Sequence, residues 1–261
     1  MFNSLKNYRY QIIFLVFFIF VGVLLFQNPI AQDLAYHDFG DQRKIFEIPN
    51  FWNVMSNLPL FFIGIYGTWV SLQHWKLRPD LVSKLLPLVL CLGIFIACFG
   101  SAYYHWAPDN YTLVWDRLPM TLMFMPIFSL LIYDFIGKKE GRIAFYILVP
   151  LGIFSVFYWR YTEMIGQGDL RFYIFVQFFP MIIAPFVLCL FPKKTNYVRY
   201  IYYILGWYIL AKLTELFDDV IFDFLGFWSG HTIKHLLGAI SLYYVLKLII
   251  GWEKELLRDH K

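Results

Sequence analysis

Apolar residues run in eight long stretches along this chain, at about 10–28, 52–73, 85–105, 115–136, 143–160, 171–191, 199–221 and 229–250. Each approaches the roughly 20 residues that a helix needs to cross the hydrocarbon core of a bilayer. The links between them are short. They hold Pro49, Pro79, Pro108, Gly137, Gly166, Gly168, Pro192 and Gly226, residue types that end helices and make turns. The pattern predicts an all-α chain, a polytopic membrane helix bundle.

Composition agrees. Of 261 residues, 60% are hydrophobic, 22% aromatic and 15% charged, and the mean hydropathy is +0.58. A soluble domain averages about 45–50% apolar and about 25% charged residues. Disordered and collagen-like chains are excluded, as is a nucleic-acid-binding tail, so no nucleic-acid partner is expected. Cys91 and Cys98 sit in one apolar run with no zinc-ribbon or redox spacing and read as buried thiols. Lys6 and Arg9 ahead of the first stretch also fit a signal peptide. The run from Ile12 to Phe26 is long for one, and no clear small-x-small site follows, so an uncleaved first helix is the expectation.

The net charge is only +4, so its placement carries the information. One set of alternate loops holds Lys6 and Arg9; Lys76, Arg78 and Lys84; Lys138, Lys139 and Arg142; Lys193, Lys194 and Arg199; and Lys254, Arg258 and Lys261. The other set holds Arg43, Lys44, Arg160 and Arg171, with Arg117 and Lys234 at helix heads. Basic loops stay in the cytoplasm. Both termini are therefore expected to be cytoplasmic, with the loops near 29–51, 106–114, 161–170 and 222–230 on the other side.

Ionisable groups inside a span are costly and mark functional sites. His105 ends the third stretch, and Ser101 lies one turn deeper on the same face. Asp116 and Arg117 open the fourth. Glu215, Asp218 and Asp219 lie near the end of the seventh, and His231 and His235 open the eighth. All these helix ends belong to the non-cytoplasmic leaflet. His231 and His235, four residues apart, put two imidazoles on one side of a helix, about 6 Å apart along its axis. With His105 they make the three-nitrogen set of a catalytic zinc site, whose fourth position is left to water. Magnesium would want oxygen ligands instead.

Zinc brings the pKa of its bound water to about 7 and so gives a nucleophile at neutral pH. Asp116 is placed to accept the water proton and pass it to the leaving group; a salt bridge to Arg117 or Lys234 is its structural alternative. Ser101 is placed to donate a hydrogen bond to a developing oxyanion or hold the water; helix packing beside Gly100 is its alternative. Lys212 and Glu215 can neutralise each other, and Asp218 or Asp219 can orient a liganded histidine or join an internal charge network. Asn53, Ser56 and Asn57 are expected to make interhelical hydrogen bonds.

Three blocks resemble the alkaline ceramidase family, in the wider superfamily that also holds adiponectin-receptor-like and hemolysin III-like proteins. Phe51-Trp52-Asn53-Val54-Met55-Ser56-Asn57 is similar to that family's F-W-N-T-x-S-N. Gly100-Ser101-Ala102-Tyr103-Tyr104-His105, with Asp116-Arg117-Leu118-Pro119-Met120, is similar to G-S-x-x-F-H and D-E-L-P-M. His231-Thr232-Ile233-Lys234-His235 is similar to H-A-x-W-H. The resemblance spans about residues 38–250 and looks like that of a bacterial member. It implies a seven-transmembrane ceramidase-like domain at 30–261 and one extra N-terminal transmembrane helix at 1–29. It also implies zinc on His105, His231 and His235, with Ser101 and Asp116 at the metal, and hydrolysis of the amide of a ceramide-like membrane lipid. A bacterial inner membrane is the implied location, with the site toward the periplasmic side. The family's calcium site loses a carboxylate here, where Asn50 stands; Asp38 and Asp41 are the remaining candidates for Ca2+. Arg117 and Lys234 replace a glutamate and an aromatic, which points to an anionic substrate group or to extra internal ion pairs.

The leading expectation is a zinc-dependent intramembrane hydrolase of a lipid amide or ester. A receptor-like or sensor protein with a structural zinc is the alternative. A proton-relaying transporter would call for inverted repeats, which the sequence does not show.

Overall fold

The computed structural model describes residues 6–258; Lys261, counted above among the loop cations, lies outside them, as do the side chains of Lys6 and Arg258. Helix α1 is Arg9–Phe26. Phe51–Met55 and Leu58–Gln73 form α2 and α3, and Leu81–Trp106 is α4. Leu113–Leu131 is α5, continued by a π turn over Ile132–Ile136. Lys138–Met164, Arg171–Leu190, Val198–Leu216, Asp218–Leu225 and Gly230–Arg258 are α6 to α10. Among the described residues there is no strand, only an isolated bridge between Ile45 and Ile48.

Seven helices among the described residues, with α2 and α3 counted as one, are long and apolar enough to cross a membrane. The expected polytopic membrane helix bundle is what the chain forms. The seventh of the eight predicted stretches differs in two ways. Its helix, α8, carries Arg199, Lys212 and Glu215 and is too charged to qualify on composition. It also stops short, because the backbone leaves helical geometry at Phe217 (φ −107°, ψ 32°). Asp218 and Asp219 then open the short helix α9, at the end where carboxylates are favourable.

The chain divides into two compact units and passes between them after Gln32, inside α5 after Met120, and after Lys194. One comprises Met1–Gln32 and Thr121–Lys194. Here Phe17 and Phe20 of α1 pack on Phe175 and Phe179 of α7, at ring separations of 5.6–6.0 Å. The segment after α1 is tied down by Leu170 N–H to the Ile30 carbonyl (2.8 Å) and by Arg171 to the Gln27 carbonyl (2.7 Å). Asp169, in the loop before α7, is held below the usual carboxylate range, first by its hydrogen bond from the Arg171 guanidinium.

The other unit, Asp33–Met120 and Thr195–Lys261, holds every candidate residue named above for metal or catalysis. In it α8 packs along α10, and α3 along α4. The buried stripe of α4 runs Val82, Leu86, Leu90, Ile94, Ala97, Ser101, His105. The spacing is that of one helix face, so Ser101 and His105 end an otherwise apolar stripe. Asp80 and Ser83 start α4 with a reciprocal capping box.

The far end of this unit is fastened by an ion cluster. Glu253 of α10 pairs with Arg78, and its second oxygen takes Nδ1 of His74 at 2.7 Å. Arg78 also donates to the Ser71 carbonyl (3.0 Å). Both Arg78 and Glu253 are fully buried, 3% and 2% exposed. Removing one partner of a buried pair strands the other, at about 3–5 kcal/mol. Glu253→Ala should therefore lower the thermal unfolding midpoint in detergent strongly, and Arg78→Met combined with Glu253→Leu should recover much of the loss. A single variant as stable as the parent would show that the pair does not hold this end together.

Candidate metal centre

The start of α10 brings His231 into place. Helix N-termini leave backbone N–H groups without intrahelical partners. Ser229 Oγ accepts the Thr232 N–H (3.2 Å), and Asp218 Oδ1 accepts the His231 N–H (2.5 Å). The other oxygen of Asp218 accepts the Gly40 N–H (2.9 Å), tying the loop before α2 to the same helix end. Of the two aspartates proposed to orient a liganded histidine, Asp218 does hold His231, through its backbone and not its ring. At Gly230 a Cβ would run into the Thr214 carbonyl, so only glycine lets α10 come this close to α8.

His105, His231 and His235 meet. One ligand-capable atom from each lies within 4.8 Å of the others. Nε2 of His105 and Nε2 of His235 stand 3.2 Å apart. Two nitrogens each about 2.0–2.1 Å from a tetrahedral zinc would stand about 3.3–3.4 Å apart, so this pair has the spacing of two ligands of one ion. Among the described residues, these histidines are the one group of three or more His, Cys, Asp or Glu close enough to share a metal.

The tautomers follow from the surroundings. The Asn53 backbone carbonyl, which only accepts, hydrogen-bonds the His235 ring. Ser56 Oγ lies 2.7 Å from His235 Nδ1 and directs its own proton to the same carbonyl (3.2 Å). Nδ1 of His235 therefore carries the hydrogen, and Nε2 turns a lone pair to His105. Carbonyl and hydroxyl partners of this kind fix a ligand's tautomer. Asn53 Oδ1 also accepts from Thr232 Oγ1 (2.8 Å), and Asn50 donates to the His105 carbonyl (2.8 Å). The interhelical hydrogen bonds expected of Asn53 and Ser56 thus surround the histidines, whereas Asn57, expected to make one too, donates to the nearby Asn53 and Val54 carbonyls at 2.8 and 3.4 Å. His105 is buried with no partner on Nδ1.

Ser101 and Asp116 also meet: the Ser101 hydroxyl hydrogen-bonds the Asp116 carboxylate. Their neighbours explain it. A Cβ on Gly100 would strike the Trp115 carbonyl, so glycine there lets α4 and α5 touch one residue away from each partner. Asp116 lies within electrostatic range of Lys234 and Arg117.

Lys234 is placed between the histidines and the half-buried carboxylate of Glu215. Its Nζ is 2.7 Å from Nε2 of His231 and 2.9 Å from Oε1 of Glu215. Oε2 of Glu215 takes Lys212, and Tyr36 Oη donates to Oε1 at 3.3 Å. Burial first, then Glu215, pushes the Tyr36 phenol well above its usual pKa and keeps it a neutral donor.

One residue of the site has no signal in the sequence pattern. Phe39, in the loop before α2, is 3% exposed. Its ring lies 4.8 Å from that of His105 and 4.7 Å from that of His231. A lone aromatic in a loop carries no periodicity, so pattern reading passes over it. The loop is anchored by His37 to Tyr104 Oη and Asn110 (both 2.9 Å) and by Arg43 to the Phe227 carbonyl (2.7 Å). Of the residues suggested for calcium, Asp41 has both oxygens engaged by Arg43 at 2.8 Å. Asp38 caps a short 3₁₀ turn through its backbone N–H.

No family model matches the chain. A Dictyostelium discoideum protein named "Putative alkaline ceramidase dcd3A" is 24% identical over 107 residues, covering 38% of this chain and 36% of that protein. The matched part is thus about a third of the relative's length.

If the histidines share a metal, alanine at His105, His231 or His235 should each abolish stoichiometric metal in the purified protein. Ser56→Ala, which leaves all three in place, should weaken metal affinity about 10–100-fold, the usual cost of losing a group that orients a ligand. Competition with a chromophoric chelator measures both. Undiminished metal in any histidine variant would remove that residue from the centre.

Proposed function

We propose that this chain is an intramembrane hydrolase of lipid amides, ceramide-like in character, or of lipid esters, with zinc held by His105, His231 and His235. The observation that carries the reading is the pairing of three converging imidazoles with an acid–hydroxyl pair, Asp116 and Ser101, in one unit of a membrane helix bundle. The distant likeness to an alkaline ceramidase supports the amide as substrate. Zinc, when bound, supplies a Lewis acid that polarises an acyl carbonyl and makes water nucleophilic at neutral pH.

The chain's own groups do the rest. His235 is held in one tautomer by Asn53 and Ser56, and His231 is set by Asp218 at its backbone. Asp116 takes the proton of the attacking water and delivers it to the leaving nitrogen or oxygen. Ser101 keeps the carboxylate turned to that task. With its proton on Asp116, Ser101 is a positioning residue more than an oxyanion donor. Phe39 covers the histidines and excludes bulk water, which strengthens each electrostatic contact beneath it.

Zinc-loaded protein should release fatty acid from ceramide or a related acyl lipid, read by mass spectrometry. Asp116→Asn should cut turnover by about 10²–10⁴-fold at unchanged zinc content. Ser101→Ala should cost less, because Asp116 remains. Full activity in Asp116→Asn would refute the proton-transfer role. Zinc-loaded protein that cleaves no lipid amide or ester would leave the metal structural and favour the receptor-like reading.

The loop charges support an orientation with both termini cytoplasmic and the histidines toward the outer leaflet. A reporter after Lys261 should then be cytoplasmic, and a tag between Pro108 and Tyr111 should be labelled in intact cells. Labelling of that tag only in broken cells would invert the orientation.

A further inference from the structure

Lys234 holds the nitrogen that a metal would need. A neutral imidazole has one N–H and one lone pair. Lys234 donates to Nε2 of His231 at 2.7 Å, so the hydrogen of that ring is on Nδ1, and Nδ1 has no lone pair to offer. In this arrangement the lone pair of His231 faces Lys234. For Nε2 of His231 to hold a metal, Lys234 would have to let go of it.

Lys234 cannot go far. It neighbours His235 on α10, and its Nζ is tethered to Oε1 of Glu215 at 2.9 Å. Glu215 is itself fixed by Lys212 and by Tyr36. The ammonium thus stays beside the centre having lost one of its two acceptors. The local charges bear on the same point. Lys234 lies within electrostatic range of Asp116 as well as paired with Glu215. A divalent ion adds two positive charges in a site where unmatched charge is expensive. An ammonium with an open donor beside a divalent ion favours an anion, and Asp116 is the chain's own competitor for that place.

We propose that Lys234 determines substrate specificity: in the metal-loaded protein its ammonium, tethered by Glu215, binds an anionic group of the acyl lipid close to the scissile bond. The substrate class is an acyl amide or ester bearing a carboxylate or phosphate near the bond that breaks, not a neutral ceramide. This rests on the hydrolase reading above, and its test separates the two.

The first measurement is independent of turnover. Zinc affinity, by chelator competition, should rise at least about tenfold in Lys234→Met, because a competing donor and a nearby positive charge are gone. The second uses three lipids with the same acyl chain: an N-acyl amino acid, ceramide 1-phosphate and neutral ceramide. Zinc-loaded wild type should favour at least one anionic lipid over neutral ceramide by about tenfold or more in kcat/KM, and the carboxylate and phosphate arms tell which anion fits. Lys234→Met should lose that ratio and Lys234→Arg should keep most of it. Binding of the same lipids, followed by tryptophan fluorescence, gives the comparison even if nothing is cleaved. No cleavage of any lipid, with selective anionic binding that Lys234→Met abolishes, would sink the hydrolase reading and keep the anion site. Unchanged or weaker zinc affinity in Lys234→Met, or wild type that handles neutral ceramide as well as both anionic lipids, would overturn the proposal.

Discussion

A ring nitrogen or charge buried among membrane helices must find its partner inside the protein, because lipid supplies none. The histidine cluster is organised around that constraint. His235 is satisfied on one side by the Asn53 carbonyl and Ser56, which leaves its other nitrogen turned to His105. His231 leans on Lys234, Lys234 on Glu215, and Glu215 on Lys212 and Tyr36. The set is a chain of dependencies, in which a change at Glu215 reaches a histidine through the lysine between them. His105 Nδ1 is buried without a partner.

Close backbone approach makes the chain of partners possible. Gly100 against the Trp115 carbonyl brings Ser101 to Asp116, and Gly230 against the Thr214 carbonyl brings His231 to the end of α8. Small residues at helix contacts are common in membranes, where packing has to replace the hydrophobic drive. Here each of the two stands one residue from a group of the site, so packing and chemistry share the same positions. Asp218 does similar double service, since one carboxylate holds Gly40 of the loop before α2 and the first turn of α10.

The loop before α2 gives the site its local environment. Phe39 lies against two of the three imidazole rings. Arg43 clamps Asp41 and reaches the carbonyl of Phe227 in the turn before α10. His37 reaches Tyr104, one residue from His105. An apolar cover of this kind lowers the dielectric around the two rings it touches and strengthens the polar contacts they make.

The sequence by itself determined the helices and their membrane character, because both are local: about 20 apolar residues, ended by proline or glycine, need no distant partner to be recognised. It also placed His105, His231, His235, Ser101 and Asp116 at one end of the bundle, because helix ends alternate from side to side along a polytopic chain. Which nitrogen of each ring is available was beyond it. That depends on Ser56 and Asn53 from 179 and more positions away, and on a lysine whose neighbours come from α8. The break at Phe217, the cover by Phe39 and the division of Glu215 between two lysines were likewise decided by tertiary structure. Hydrogen bonds and ring contacts between segments far apart in the chain follow from packing at ångström range, and no periodicity along the chain records them.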